Sequence, residues 1–291
     1  VFSSRKLNDG ELTLNTLDFS LIVWFGSLTA GFLGALTGLG GGVVIVPFLA
    51  IVCGVDIHYA IGASLVSVIA TSSGAASAYV KEGYTNLRLG MLLEVATTFG
   101  AIAGAMVAAK ISTGIIAVVF GIVLLYSAYL SRQQHSENID NLPPDPLATR
   151  LKLNSTYPTP TGEKSYNVRG VPWGFGLMFT AGVLSGLLGI GSGALKVLAM
   201  DQVMHIPFKV STTTSNFMIG VTAAASAGIY LNRGYIDPGL TMPVMLGVLL
   251  GAVLGARLLI KANVGLLRNI FSGVILVLAL EMIYKGLTGR L

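Results

Sequence analysis

Two short glycine-rich stretches, Gly38-Leu39-Gly40-Gly41-Gly42 and Gly189-Ile190-Gly191-Ser192-Gly193, interrupt long apolar runs in a chain of 291 residues. Glycine costs a helix about 1 kcal/mol per residue against alanine, so three or four within five positions break it. The helix that resumes after each break starts with N–H groups unpaired within it and with the positive end of its dipole, a ready site for an anion. At membrane depth, broken backbone is tolerated only where protein or a water-filled cavity satisfies it. A pair of such breaks in corresponding positions of two halves points to a transporter's binding site. Gly40, Gly41, Gly42 and Val43, with Gly191, Ser192, Gly193 and Ala194, are therefore the candidate substrate-binding backbone.

Lys196 stands three residues into the second resumed helix, in Gly193-Ala194-Leu195-Lys196-Val197. An ionisable side chain at membrane depth costs at least about 2.5–3.5 kcal/mol, so it marks a pathway unless it snorkels to an interface. Its counterpart in the first half is Ile45, which makes charge-based recognition lopsided. Ser211-Thr212-Thr213-Thr214-Ser215-Asn216 opens the next span. A helix cap accounts for one hydroxyl; Thr213, Thr214, Ser215 and Asn216 are candidate donors to an anion stripped of water. Ser64 is the first half's thinner version. Glu94, in mid-span, is the acidic candidate for a coupling proton or cation, with pairing to a lysine or arginine as its alternative. Asp56, His58, Asp201 and His205 fall at the ends of the short helices, where capping and interfacial solvation account for them. A paired His58 and His205 would add pH sensitivity.

These residues need a membrane around them. Of the chain, 53% is hydrophobic and 11% charged, against about 25% charged in ordinary domains, and mean hydropathy is +0.77. Runs with almost no charge, 21–36, 89–109, 111–130, 240–256 and 269–280, suit spanning helices. The fold class is an all-α polytopic membrane protein. The stretch 43–52 is too short to cross about 30 Å at about 1.5 Å per residue, and reads as a half-helix or re-entrant piece. Residues 1–16 form a polar N-terminal segment, 17–131 a first transmembrane repeat, 132–172 an aqueous linker, and 173–291 a second transmembrane repeat. Within the linker, 162–168 is either a small hairpin or a flexible loop.

The halves repeat. Aligning Gly31 with Gly182 sets an offset of 151 residues (182 − 31). It pairs Gly38, Gly40 and Gly42 with Gly189, Gly191 and Gly193, Ser64 with Ser215, Thr71 with Thr222, and Gly83-Tyr84 with Gly234-Tyr235. Gly100 and Gly104 meet Gly251 and Gly255, a small-x-x-x-small spacing that lets helix backbones approach. The expected arrangement is four spans per half in parallel repeats, with termini and linker sharing the cytoplasmic face of the plasma membrane by the positive-inside rule. Five spans per half in inverted repeats is the alternative.

The net charge of +5 lies in loops and ends, which suits a membrane topology, with lipid and not nucleic acid as the neighbour. The lone Cys53 excludes an intramolecular disulfide. No signal peptide is evident ahead of the first apolar run. There is no P-loop, metal-ligand spacing, nucleophile elbow or catalytic dyad, so no cofactor, metal or enzymatic activity is expected. Nothing in the sequence sets an oligomeric state.

Gly38-Leu39-Gly40-Gly41-Gly42-Val43-Val44-Ile45-Val46-Pro47 and Gly186-Leu187-Leu188-Gly189-Ile190-Gly191-Ser192-Gly193-Ala194-Leu195-Lys196-Val197 resemble the paired signatures of the TauE/SafE sulfite exporter family of anion permeases. Ser215 in its Ser/Thr run and Gly234-Tyr235-Ile236-Asp237-Pro238 are similar to that family's second half. The resemblance covers nearly the whole membrane region. It departs at Ser192, where the family usually has glycine, and at Leu198, where proline often follows Lys196-Val197. It implies a secondary carrier of sulfur-containing or organic anions: sulfite, thiosulfate, or sulfonates such as sulfoacetate. Alternating access between the two pseudo-symmetric halves is the expected mechanism. An anion channel, or a membrane scaffold or enzyme, is the competing class.

Overall fold

A computed structural model describes residues 16–37, 41–81, 83–132, 145–159, 162–259 and 264–289. Helix α1 covers Thr16–Thr37. After the first break α2, Gly42–Pro47, runs straight into a π-helical turn, Phe48–Val52. Helices α3 (Ile57–Lys81), α4 (Leu87–Ala108) and α5 (Thr113–Arg132) follow. The linker carries a short helix α6 (Pro146–Arg150) and strands β1 (Ser155–Thr159) and β2 (Gly162–Tyr166). Then come α7 (Val171–Leu188), α8 (Gly193–Leu198), a second π-helical turn Ala199–Val203, α9 (Phe208–Asn232), α10 (Pro238–Leu259) and α11 (Val264–Thr288).

Among the described residues, Leu87–Ala108, Val171–Leu188 and Pro238–Gly255 are long and apolar enough to cross a membrane, and Leu17–Leu33, Gly42–Val52, Ile57–Ser72 and Thr113–Tyr126 are shorter apolar helices. Large side chains such as Phe99, Leu246 and Val277 face outward. A helical chain that turns apolar side chains outward as well as inward is built for lipid. The protein is an all-α integral membrane protein.

The most extensive helix contacts are α1 on α10 and α4 on α7, followed by α5 on α11 and α3 on α9. Glycines set the first two. A methyl on Gly104 would overlap the Val183 backbone, one on Gly186 that of Ala101, and one on Gly251 that of Leu28. Gly100, Gly104 and Gly251 of the small-x-x-x-small spacings thus serve close backbone packing. Gly100 faces Phe179 and Gly104 faces Val183, so α4 and α7 run parallel.

The equivalent helices run the other way. Gly62 on α3 meets Tyr235 just past α9, whereas Ser72 meets Gly220, so α3 and α9 are antiparallel. Gly114 meets Gly286 and Gly121 meets Ile283, so α5 and α11 are antiparallel too. Four spans per half in parallel repeats requires the opposite sense. The physical reason lies in the half-helix. Gly41 lies against Gly31 and the Phe48 ring against Gly26, so the helix 42–52 runs back alongside α1 and returns the chain to the end where α1 began. It turns the chain back although it is short, because it starts inside the bundle.

Two ends of the bundle result. At one, Asp56 accepts the His58 amide and ring Nδ1 at 2.9 and 3.1 Å, His58 Nε2 lies 3.3 Å from the Ala108 carbonyl, and the imidazole stacks on Tyr235. The bonded His58 imidazole holds the Asp56 carboxyl below the usual carboxylate range. At the other end, the described part of the linker, from residue 145 on, is a folded cap. Strands β1 and β2 pair from Ser155↔Tyr166 to Thr159↔Gly162, and Tyr157, Tyr166, Leu153 and Val168 pack with Leu89, Met178 and Met204. Asn86 ties the cap down, donating through Nδ2 to the Leu153 carbonyl at 2.8 Å and to the Tyr166 hydroxyl at 2.9 Å. Burial there pushes the Tyr166 hydroxyl up to about 12. His205 follows Met204 at this capped end, whose carbonyl accepts the Arg169 amide. A His58–His205 pair is therefore excluded, because the two lie at opposite ends.

Candidate functional site

The two glycine breaks meet. A Cβ placed on Gly42 would lie 2.8 Å from Ser64 Oγ, 3.1 Å from the Gly189 carbonyl and 3.1 Å from Val68; one placed on Gly191 would lie 3.2 Å from Val68. Val68 therefore touches both breaks. Helix 42–52 and helix 193–203 each start at this junction, Val43 is buried beside it, and Ala194 lies in the first turn of α8. Neither start has a side-chain cap. Gly40 lies outside the described residues.

The second break is the more contorted. Gly189 and Gly191 have φ of +68° and +69°, and Ser192 follows at +48°. A left-handed conformation costs a residue with a Cβ roughly 1–2 kcal/mol. The Ser192 hydroxyl is buried and has no hydrogen-bond partner, which forgoes about 1–3 kcal/mol more. A strained serine with an unsatisfied hydroxyl at the junction of two helix starts is a donor waiting for a partner.

The hydroxyls named from the sequence divide. Ser64 Oγ donates to the Gly189 carbonyl at 2.7 Å, bracing the opposite half's break, and Ser215 Oγ donates to the Gly193 carbonyl at 3.2 Å. Thr213 bonds back to the Lys209 carbonyl of its own helix, and Thr214 accepts the Asn86 amide beneath the linker cap. Asn216 is half-buried. Consecutive helical residues turn by about 100°, so four in a row cannot line one site. Of the run, Ser215 is the residue that reaches the break.

Lys196 is fully buried, and its ammonium does not snorkel. It donates to Thr222 Oγ1, and Thr222 donates to Glu94 Oε1 at 2.7 Å. Glu94 Oε2 stands 4.0 Å from Lys196 Nζ. The sequence names Lys196 and Glu94 separately and misses Thr222, the group between them. A signal for it exists: Ser211, Ser215, Thr222 and Ser226 recur at helical spacing, and all four are buried. Asn86, which pins the linker, is also missed; it precedes α4 as its N-cap, a role its residue type suggests. Among the described residues no group of three His, Cys, Asp or Glu side chains could hold a metal ion.

Comparison with known proteins agrees on class. The sequence model of a family described as sulfite exporter TauE/SafE matches residues 23–282. A probable membrane transporter protein of Bacillus subtilis, YunE, is 28% identical over 279 residues, covering 93% of this chain and 99% of that protein. A second from that organism, YdhB, is 25% identical over 238 residues, covering 81% and 87%. A probable membrane transporter protein of Xylella fastidiosa is 25% identical over 272 residues, covering 92% and 96%. No solved structure matches.

Proposed function

Because the chain belongs to the TauE/SafE sulfite exporter family, we propose that this membrane transporter is a secondary carrier of sulfur-containing or organic anions, sulfite, thiosulfate or sulfonates such as sulfoacetate, working by alternating access. The anion binds where the two breaks meet, against the helix starts at 41–43 and 191–194, with Ser192 as donor, Ser64 and Ser215 bracing the broken backbone, and Lys196 supplying charge. The observation that carries this reading is the meeting of two uncapped helix starts at Val68 beside the buried, unpartnered Ser192 hydroxyl. Positive helix ends converging in a low-dielectric interior favour an anion and cost nothing to reorganise.

The halves act as inverted repeats of five crossings each, the arrangement that alternating access commonly uses. Supporting this, α2, the first π-helical turn, α3, α4 and α5 begin 151 residues (193 − 42) before their second-half counterparts, and the equivalent helices α3 and α9 are antiparallel. An odd number of crossings sets the linker opposite the termini. Among the described residues, Arg88, Arg150, Lys152, Lys164, Arg169 and Lys209 stand towards the linker end, against Lys110, Arg233 and Lys285 at the other. The positive-inside rule then puts the linker cap, and not the termini, in the cytoplasm of a plasma-membrane protein.

Counterflow in proteoliposomes tests the function. Labelled sulfite should enter faster when unlabelled sulfite is trapped inside, relative to protein-free vesicles. Flux that ignores the trans anion would mark a channel instead, and no protein-dependent flux of sulfite, thiosulfate or sulfoacetate would remove the anion-carrier reading.

A further inference from the structure

We infer that Glu94, Thr222 and Lys196 form the coupling unit of this carrier: one proton taken up by Glu94 frees Lys196 to hold one negative charge of the anion. The inference rests on the anion-carrier reading above.

In the structure the ammonium is spoken for. Lys196 donates to Thr222, Thr222 donates to Glu94 Oε1, and Thr98 donates to the same oxygen at 3.2 Å. The other carboxylate oxygen is left over. Glu94 Oε2 is buried without a hydrogen-bond partner, facing the ammonium at 4.0 Å, beyond hydrogen-bond reach. A buried carboxylate with one dry oxygen bears a high cost as an anion, and a proton on that oxygen removes the charge responsible. Elements packed on α4 and α8 carry further titratable or charged side chains: Arg88 on α4 itself, Asp201 on the π-helical turn, Lys209 and Tyr230 on α9, and Tyr126, Tyr129 and Arg132 on α5. Among the described residues, Lys196 is the one that forms an ion pair with Glu94.

The charges explain why proton and anion should travel together. Ionised Glu94 with Lys196 is neutral. Protonated Glu94 with Lys196 and one negative charge of the bound anion is neutral as well, and the second charge of a dianion such as thiosulfate or sulfoacetate falls to the helix starts at 41–43 and 191–194. The buried cluster therefore carries no net charge in either state, which a low-dielectric interior demands. The proton comes from solution onto Glu94 Oε2 and leaves from it, and Thr222 goes on bonding both. With Glu94 ionised, Lys196 is recaptured and the anion loses its counter-charge. Apparent affinity should thus fall about tenfold per pH unit above the Glu94 titration, the slope of one linked proton. The positions equivalent to Lys196 and Glu94 are Ile45 and Met245, so the unit belongs to the second break alone.

Proteoliposomes test this with the probe anion that the wild type exchanges among sulfite, thiosulfate and sulfoacetate. An inward proton gradient should drive accumulation of that anion by wild-type protein, and a pH dye trapped inside should report protons entering with it. Glu94→Gln, which fixes the carboxyl in a neutral form, should still exchange the anion and should lose gradient-driven accumulation. Accumulation by Glu94→Gln still driven by the gradient, or wild-type transport with no proton movement beyond protein-free vesicles, would overturn the coupling while leaving the carrier intact. The wild-type dye measurement stands even if the variant fails to fold. An absence of exchange with every probe would remove the carrier reading and the coupling with it.

Discussion

Lys196→Met removes the buried ammonium while keeping most of the side-chain volume. Glu94, 7% exposed, is then left with hydroxyl donors and no counter-charge. Breaking a buried ion pair by deleting one partner costs about 3–5 kcal/mol, because the surviving charge stays in low dielectric. About 1 kcal/mol shifts the melting temperature of a chain of this size by roughly 2–4 °C, so the single variant should melt roughly 10 °C lower. Lys196→Met/Glu94→Gln carries neither charge and should recover most of that loss, since replacing both members of a buried pair is often neutral. Thermal unfolding in detergent, at a pH high enough to keep Glu94 ionised, measures both. Lowering the pH should shrink the deficit of Lys196→Met, because protonating Glu94 removes the uncompensated charge. Equal melting of the single and double variants would refute the pairing of Lys196 with Glu94.

Further outcomes follow from the same geometry. Ser192→Gly should raise the melting temperature, by relieving roughly 1–2 kcal/mol of left-handed strain, while weakening anion affinity; an unchanged affinity would remove the Ser192 hydroxyl from the site. Gly104→Leu should abolish folded protein, since any side chain there overlaps the Val183 backbone, whereas Gly176→Ala has open space and should fold normally; comparable yields of both would contradict the α4–α7 contact. Tyr166→Phe deletes the hydroxyl that accepts from Asn86 and should speed amide exchange in β1 and β2, with unchanged exchange denying that bond a role in holding the cap. In a Cys53→Ser background, a membrane-impermeant maleimide should label Arg233→Cys in intact cells and Gly162→Cys only after permeabilisation; the reverse would invert the proposed orientation.

Much of this was legible in the residues. Gly42 and Gly193 do begin short helices, because runs of glycine stop one helix and leave the next to start afresh. Gly100 and Gly104 of α4 and Gly251 of α10 do pack against backbone. Direction was harder to read, since span counting by hydrophobic length discards the short helix 42–52, which begins inside the bundle and turns the chain back. That one segment decides whether α3 and α9 run parallel or antiparallel. The Ser/Thr run misled in another way: polarity in sequence does not say which face of a helix carries it, so Thr213 and Thr214 turn away while Thr222, two turns on from Ser215, reaches the ion pair. Asn86 shows the same limit, because its bonds to Leu153 and Tyr166 join residues distant in the chain, which local pattern cannot foresee.

The central claim is a single anion site shared by both breaks. Selenite stands in for sulfite with a heavier scatterer, and a structure of the protein in selenite, read by anomalous diffraction, locates it directly. The selenium peak should lie between the helix starts at 41–43 and 191–194, within hydrogen-bond reach of the Ser192 hydroxyl and beside Val68. A peak resting against one half alone, or beneath the linker cap near Asn86, would contradict the shared site.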